Sequence, residues 1–183
     1  MILDIEGYDG TLLHNRFAYQ VFEDEVNPAG DIIAFRGWMR VEAEGMIDQE
    51  DVANEDYIYA KDAINFMWEM PNLTPFAAVA YQRLLNREIA DILETYLELP
   101  ILVEGDDLMI GQEGKCSVSI THVKDHAALG HTAINIDAGD EAPRHAYSTH
   151  LTDDQAQEFM EDVIEMFYDL NQDIFVATSK VLV

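Results

Sequence analysis

The chain has 183 residues, 49% of them hydrophobic, which is enough to bury the core of a single domain. Its 36 acidic residues against 10 basic ones give a net charge of −26, which disfavours binding to nucleic acid or to an anionic membrane. The basic side chains are scattered, and no apolar run approaches the ~20 residues that a membrane-spanning helix needs. We therefore predict one domain over residues 1–183, with no nucleic-acid or membrane partner.

The acidity and the low cysteine content bear on location. The N-terminal segment Met1–Glu6 lacks the basic and long apolar regions of a signal peptide, and the single cysteine, Cys116, cannot form an internal disulfide. We expect a reducing, cytoplasmic location. Two explanations of the acidity stay open: adaptation to a salty cytoplasm, or an acidic surface that recruits a basic protein.

The N-terminal half alternates between strand and helix signals. Apolar alternation and turn residues predict the following elements: a strand at Met1–Glu6, a turn at Gly7–Gly10, a helix from Thr11 to about Glu23, a strand at Asp31–Val41 with a bulge at Gly37, a loop at Glu42–Asp56 and a strand at Tyr57–Met70.

The C-terminal half contains two longer helices. Apolar residues at helical spacing predict a helix from Thr74 or Pro75 to about Leu97, and a capping box at Thr152–Gln155 opens a second helix to about Leu170. The predicted strands are Ile101–Glu104, Asp107–Ile110, Lys115–Val123, His131–Asp137 and Asp173–Val183. This irregular mixture of hairpins and helices predicts an α+β fold, with helices packed on a mixed or antiparallel sheet.

One predicted strand carries a lysine in a chain with few cations. Gly105-Asp106-Asp107-Leu108 precedes it, and the polar residues Lys115, Ser117, Ser119 and Thr121 alternate with Cys116, Val118 and Ile120. A period of two places the lysine with the hydroxyls and Cys116 on the other face. An ammonium beside hydroxyl donors can stabilise a carboxylate or phosphate, although spacing alone is more typical of an ordinary strand with a solvated face.

Histidines provide a different hypothesis. Five of the six lie between His122 and His150, so a histidine-based metal enzyme stays open as an alternative. No HExxH or paired CxxC spacing is present, and we predict no metal ligands.

The lysine-bearing region also carries family resemblances. The run Gly105–Ile120, followed by His131-Thr132-Ala133-Ile134-Asn135-Ile136, resembles the family called domain of unknown function 366. The segments Tyr8-Asp9-Gly10, Phe35-Arg36-Gly37 and Gln82–Leu85 are similar to that family too, so the resemblance covers most of the chain.

The same residues resemble the core of the lipoate/biotin protein ligase superfamily, which is related to class II synthetases. Asp106-Asp107-Leu108, Gly114-Lys115 and Gly130-His131-Thr132 are similar to three motifs that surround its acyl-adenylate. The resemblance implies that Lys115 contacts the activated carboxylate and phosphate as the catalytic lysine, and that ATP and Mg²⁺ are cofactors. The substrate-binding residues expected around it are Arg36, Asp107, Ser117, Ser119 and His131.

One departure weakens the expectation of ATP use. The ligases have a glycine- and arginine-rich loop around the adenylate, whereas Met46–Ala63 contains no glycine and is acidic. Without glycine, backbone amides cannot approach a ligand so closely. The sequence thus predicts an acyl ligase or acyltransferase relative that binds a small carboxylic acid or acyl-adenylate. The alternatives are a non-catalytic acidic assembly module and the metal enzyme, and a homodimer stays open.

Overall fold

A computed structural model describes residues 1–22, 27–54 and 56–181, without the side chains of residues 18 and 19. In chain order its strands and helices are β1 (Gly7–Tyr8), α1 (Phe17–Val21), β2 (Asp31–Val41), α2 (Gln49–Asn54), β3 (Ile58–Pro71), α3 (Pro75–Leu97), β4 (Ile101–Glu104), β5 (Asp107–Ile110), β6 (Gly114–Lys115), β7 (Ser117–Lys124), β8 (Ala127–Asp137) and α4 (Asp153–Lys180). Two short 3₁₀ turns, Thr11–His14 and Ala43–Gly45, lie between them.

The strands form two sheets. The larger has the order β1-β2-β3-β8-β7, in which β1 runs parallel to β2 and the other neighbours are antiparallel. Strands β4, β5 and β6 form a separate antiparallel sheet. The α+β prediction is confirmed. The chain has the mixed sheet and the packed helices that the sequence predicts.

Both faces of the larger sheet are covered, so its central strands are almost continuously apolar rather than alternating. One face, which includes Ile64, Phe66 and Trp68, packs against α3 and α4. The other face, which includes Ala63 and Met67, packs against the N-terminal segment. The register of β2 on β3 shifts between Gly37 and Met39, which confirms the bulge expected at Gly37.

Helices α3 and α4 lie side by side. The Ala77 N–H donates to the Thr74 side chain at the start of α3, and the predicted capping box at the start of α4 is present. The Tyr81 hydroxyl donates to Asn171 Oδ1 at 2.8 Å and links the two helices. The buried side of α3 differs from the expected apolar stripe: Phe76 is exposed, whereas Gln82 and Asn86 are buried because they bond to β7 and β8.

Three sequence predictions for the remaining segments were wrong in detail. Residues 1–6 pair with β2 only at Ile2, and the short parallel strand occupies the predicted turn at Gly7 and Tyr8. The predicted helix after Thr11 is divided into a 3₁₀ turn and α1, and its end at Glu23 lies outside the described residues. The predicted loop at 42–56 contains a 3₁₀ turn and α2.

The predicted C-terminal strand is also wrong. Helix α4 continues from Leu170 to Lys180, and the strand's last two residues lie outside the described part of the chain. The helix continues because no glycine or proline interrupts it and because buried Asn171 is bonded to α3. None of the helices within residues 1–22, 27–54 and 56–181 combines the length and apolar character needed to cross a bilayer.

Candidate functional site

A cavity of about 670 Å³ opens beside β7 and β8. Its walls come from five parts of the chain: the N-terminal residues Tyr8 and Leu13, residues between Val41 and Tyr59, the turn before β5, the strands β6 to β8, and the loop that ends at Ala146. The apolar side chains that line it include Leu13, Val41, Met46, Ile47, Ile58, Val118 and Ile120. The polar lining residues include Lys115, Asp107, Ser117, Ser119 and His131, so the structure brings five of the six expected site residues to one cavity.

Lys115 lies at the junction between the small sheet and the cavity. Its backbone N–H donates to the His145 carbonyl at 2.8 Å, and its own carbonyl accepts from Tyr147 at 2.8 Å. The Lys115 ammonium lies 2.7 Å from Asp107 Oδ1, with both side chains about one-third exposed. Such a solvent-accessible pair contributes little stability, but it gives the ammonium a defined position in the cavity wall.

The two serines already have structural partners. Ser117 is buried, and its hydroxyl accepts a 2.8 Å bond from the Leu108 N–H. The Ser119 hydroxyl accepts from Gln82 Nε2 at 2.9 Å, which ties β7 to α3. These hydroxyls therefore shape the wall around Lys115 in addition to offering polar atoms to a ligand.

Cys116 is separated from the cavity, as the alternation predicts. Its side chain is fully buried in the core, and the thiol donates to the Leu108 carbonyl at 3.3 Å. Burial raises the pKa of the Cys116 thiol to about 12. A neutral, buried thiol is not a nucleophile, so Cys116 and Lys115 do not form a reactive pair.

His131 is a neutral, buried residue in the cavity wall. Its ring stacks on Tyr8 with 3.9 Å between centroids, and Nε2 donates to Asn65 Oδ1 at 3.0 Å. Burial lowers the pKa of His131 from 6.5 to about 3. At neutral pH the ring therefore offers a fixed, uncharged surface rather than a positive charge.

This histidine makes stability depend on pH. The unfolded chain binds a proton near pH 6.5 and the folded chain does not, so His131's contribution is full above 6.5 and is lost as the pH falls toward 3. We expect His131→Phe, which keeps a ring against Tyr8, to reduce the slope of unfolding free energy against pH by up to about 1.4 kcal/mol per pH unit. Urea titrations between pH 6.5 and about 5, above the range in which carboxylates ordinarily titrate, measure that slope. An unchanged slope in His131→Phe, or an equal reduction in the exposed control His145→Gln, would contradict the assignment.

The structure corrects the expected position of Arg36. Its guanidinium binds Asp62 at 2.6 Å and Asp153 at 2.7 Å, on the α4 side of the sheet. Arg36 lines a separate cavity of about 420 Å³, so it does not share a site with Lys115. The two carboxylates explain its position, and sequence spacing could not reveal them because they come from distant parts of the chain.

Sequence reasoning missed the acidic side of the cavity. Four carboxylates, Asp48, Glu50, Asp51 and Asp56, line it from the segment predicted to be a loop. Burial and, to a lesser extent, the neighbouring Asp48 and Asp56 raise the pKa of Asp51, whereas the Lys115 charge opposes the shift. The acidic composition of this segment was visible in the sequence, but the short helix that brings it to the cavity was not.

The described residues offer no cluster of side chains for the histidine-based metal hypothesis. Within residues 1–22, 27–54 and 56–181, no three His, Cys, Asp or Glu side chains are grouped as metal ligands are. The neutral His131 instead bonds to an asparagine, and His122 Nε2 lies 2.9 Å from the Leu13 carbonyl.

Comparison with known proteins places this chain in a family. The model of the family described as domain of unknown function DUF366 matches residues 2–182. The chain belongs to the DUF366 family. The uncharacterized protein MJ0805 of Methanocaldococcus jannaschii is 30% identical over 134 residues, which is 70% of this chain and 58% of that protein. The chain thus spans less than two thirds of this relative.

Solved structures show the same fold. A protein of unknown function from Pyrococcus horikoshi matches this DUF366 chain with a TM-score of 0.88 and 23% identity, covering 100% of this chain and 97% of its own. The biotin protein ligase of Aquifex aeolicus in complex with biotin and ATP matches with a TM-score of 0.60 and 13% identity, covering 93% of this chain and 70% of its own. A lipoate-protein ligase A bound with ATP matches with a TM-score of 0.60 and 15% identity, covering 92% of this chain and 85% of its own. At these identities the likeness shows the fold alone.

The residues of this DUF366 chain do not fit the triphosphate that the ligase fold implies. Six carboxylates line the cavity, and the one lysine there is paired with Asp107. Gly45 is the one glycine among the described residues that line the cavity, and Met46–Ala63 has none, so the wall lacks the glycine-rich loop that lets backbone amides approach phosphates.

Proposed function

We propose that the cavity binds a small carboxylic acid, or the acyl group of an activated one, with the Lys115 ammonium contacting the carboxylate. The observation that carries this proposal is the position of Lys115: a defined ammonium in the wall of a concave, partly apolar cavity. Ligand cavities combine such apolar walls with a few oriented polar groups. The apolar side chains, among them Val118 and Ile120, would hold the carbon chain of the acid.

The remaining predicted residues have supporting roles in this proposal. Asp107 orients the Lys115 ammonium, and Ser119 lies on the adjoining strand and is bonded to α3. His131 supplies a neutral ring stacked on Tyr8, which gives the acyl chain a flat, rigid neighbour. The solved biotin and lipoate ligases that share this fold support a small-molecule ligand, and the proposal does not include ATP-dependent activation.

Replacing Lys115 tests the proposal. We expect the protein to bind a medium-chain acid such as octanoate, lipoate or biotin, and Lys115→Ala to weaken that binding at least about tenfold, because a hydrogen bond to a charged group contributes ~1.5–3 kcal/mol. Isothermal titration calorimetry measures both affinities. Lys61→Ala is a matched control, because the Lys61 ammonium also lies 2.7 Å from a carboxylate, that of Asp137, but does not line the cavity.

Two results would overturn the proposal. The first is that none of the three acids binds to the folded wild-type protein. The second is that Lys115→Ala binds as tightly as Lys61→Ala does. Equal melting temperatures of the two variants would show that any difference in affinity is local to the cavity.

A further inference from the structure

The charge of the cavity is unusual for a site that receives an anion. Six carboxylates line it, against one ammonium. Two of the six have cationic partners: Asp107 pairs with Lys115 at 2.7 Å, and Asp106 pairs with Arg83 at 3.0 Å. A ligand with only a negative charge would enter a field that repels it.

The other four carboxylates lack a cation. No ion pair joins Asp48, Glu50, Asp51 or Asp56 to any lysine or arginine in the part of the chain that the structure describes. The Lys115 charge opposes the burial that raises the pKa of Asp51, so the ammonium and this carboxylate interact electrostatically. The cavity therefore places one positive group beside a concentration of negative charge.

Asn135 is a second, independent sign of a missing donor. It lines the same cavity and is 3% exposed, and its Nδ2 donates to the Tyr147 carbonyl at 3.4 Å. Its Oδ1 is buried without a hydrogen-bond partner among the described residues. Buried polar oxygens are nearly always paired, so this acceptor is available to an N–H or O–H group of a bound molecule.

We propose that the ligand of this cavity is an aminocarboxylic acid, whose carboxylate binds Lys115 and whose protonated amine is held by the unpaired carboxylates around Asp51. This inference rests on the proposed function and adds the substrate class. A protonated amine supplies both the positive charge that the four carboxylates lack and N–H donors of the kind that Asn135 lacks. A divalent cation fits less well, because no three acidic or histidine side chains within the described residues are grouped as metal ligands are.

The inference predicts a preference between ligands that differ only by an amino group. Calorimetry on the full chain at low ionic strength compares octanoate with its α-amino and ω-amino derivatives. At least one amino derivative is expected to bind about tenfold more tightly than octanoate, and moderate salt is expected to reduce this advantage. Which derivative gains shows how far the amine lies from the carboxylate.

Two double variants locate the effect. In Asp51→Asn/Asp56→Asn the advantage of the amino derivative is expected to disappear, while octanoate binds at least as well as before. Asp169→Asn/Asp173→Asn removes the same charge from exposed positions of α4 and is expected to leave the advantage unchanged.

The outcomes separate this inference from the proposed function. If octanoate binds as tightly as both amino derivatives, the aminocarboxylic acid inference fails and the proposed function stands. Should none of the three ligands bind, and lipoate and biotin fail as well, both fail together. If the α4 control loses the advantage as fully as the cavity variant does, overall charge is the cause and the inference is overturned.

Discussion

Replacing Gly130 with alanine is expected to lower the free energy of unfolding by about 3 kcal/mol. A Cβ at Gly130 would lie 2.0 Å from the Trp68 ring, and Trp68 is fully buried between the sheet and α3. The ring packs edge-on against Tyr81 with 5.2 Å between centroids, so it has no free space to move into. Strand β8 would have to shift, together with the cavity wall that His131 and Asn135 form.

Gly7→Ala is the matched control for this prediction. Its Cβ would also meet an indole ring, that of Trp38, at 2.2 Å, but Trp38 is 46% exposed and can swing toward solvent. Urea unfolding of both variants measures the contrast. Equal losses of stability in the two variants would contradict the prediction, because burial of Trp68 would then make no difference to the cost of the added Cβ.

Phe159→Ala is expected to destabilise the protein by ~3–5 kcal/mol, since it removes a fully buried aromatic ring and leaves a cavity. The Phe159 ring contacts Phe66 of the sheet and Tyr96 of α3, each at 5.7 Å between centroids. It therefore joins α4 to both of its neighbours. Denaturant titration with near-ultraviolet circular dichroism follows the loss of this packing.

The corresponding change on α3 provides the control. Phe76 is 87% exposed, so Phe76→Ala should alter stability by no more than about 0.5 kcal/mol. The same chemical change is thus expected to have very different effects on two neighbouring helices. A large loss from Phe76→Ala would mean that this ring is covered in solution by something the isolated chain does not show.

The elements that the sequence predicts well are those in which one local signal dominates. Strands β2 and β3 are long and apolar, and α3 has a threonine cap and a proline at its start. The C-terminal part of α4 was predicted as a strand because Ile174 and Val176 favour strands locally. In the structure the helix continues through this segment, and the bond that fixes Asn171 just before it comes from Tyr81, 90 residues away, which a local pattern does not reveal.

The candidate site likewise combines features that local sequence reveals with features that only distant contacts determine. Lys115, Asp107 and the two serines lie within one short stretch of chain, and their spacing and family resemblance were enough to group them. Arg36 was placed with them incorrectly, because its partners Asp62 and Asp153 are distant in sequence. The unpaired Asn135 oxygen could not be predicted, because it depends on how β8 packs against the loop that contains Tyr147, which is a tertiary contact.

The order of the large sheet has a consequence during synthesis. Strand β3 contains 14 residues and lies in the middle of the sheet, but its partner β8 begins only at Ala127. On the ribosome, one edge of this long apolar strand stays open until more than 50 further residues have emerged, and such an edge is a template for pairing with another nascent chain. The acidic segment around α2 emerges immediately before β3, and its negative charge opposes contact between unfinished chains at this stage.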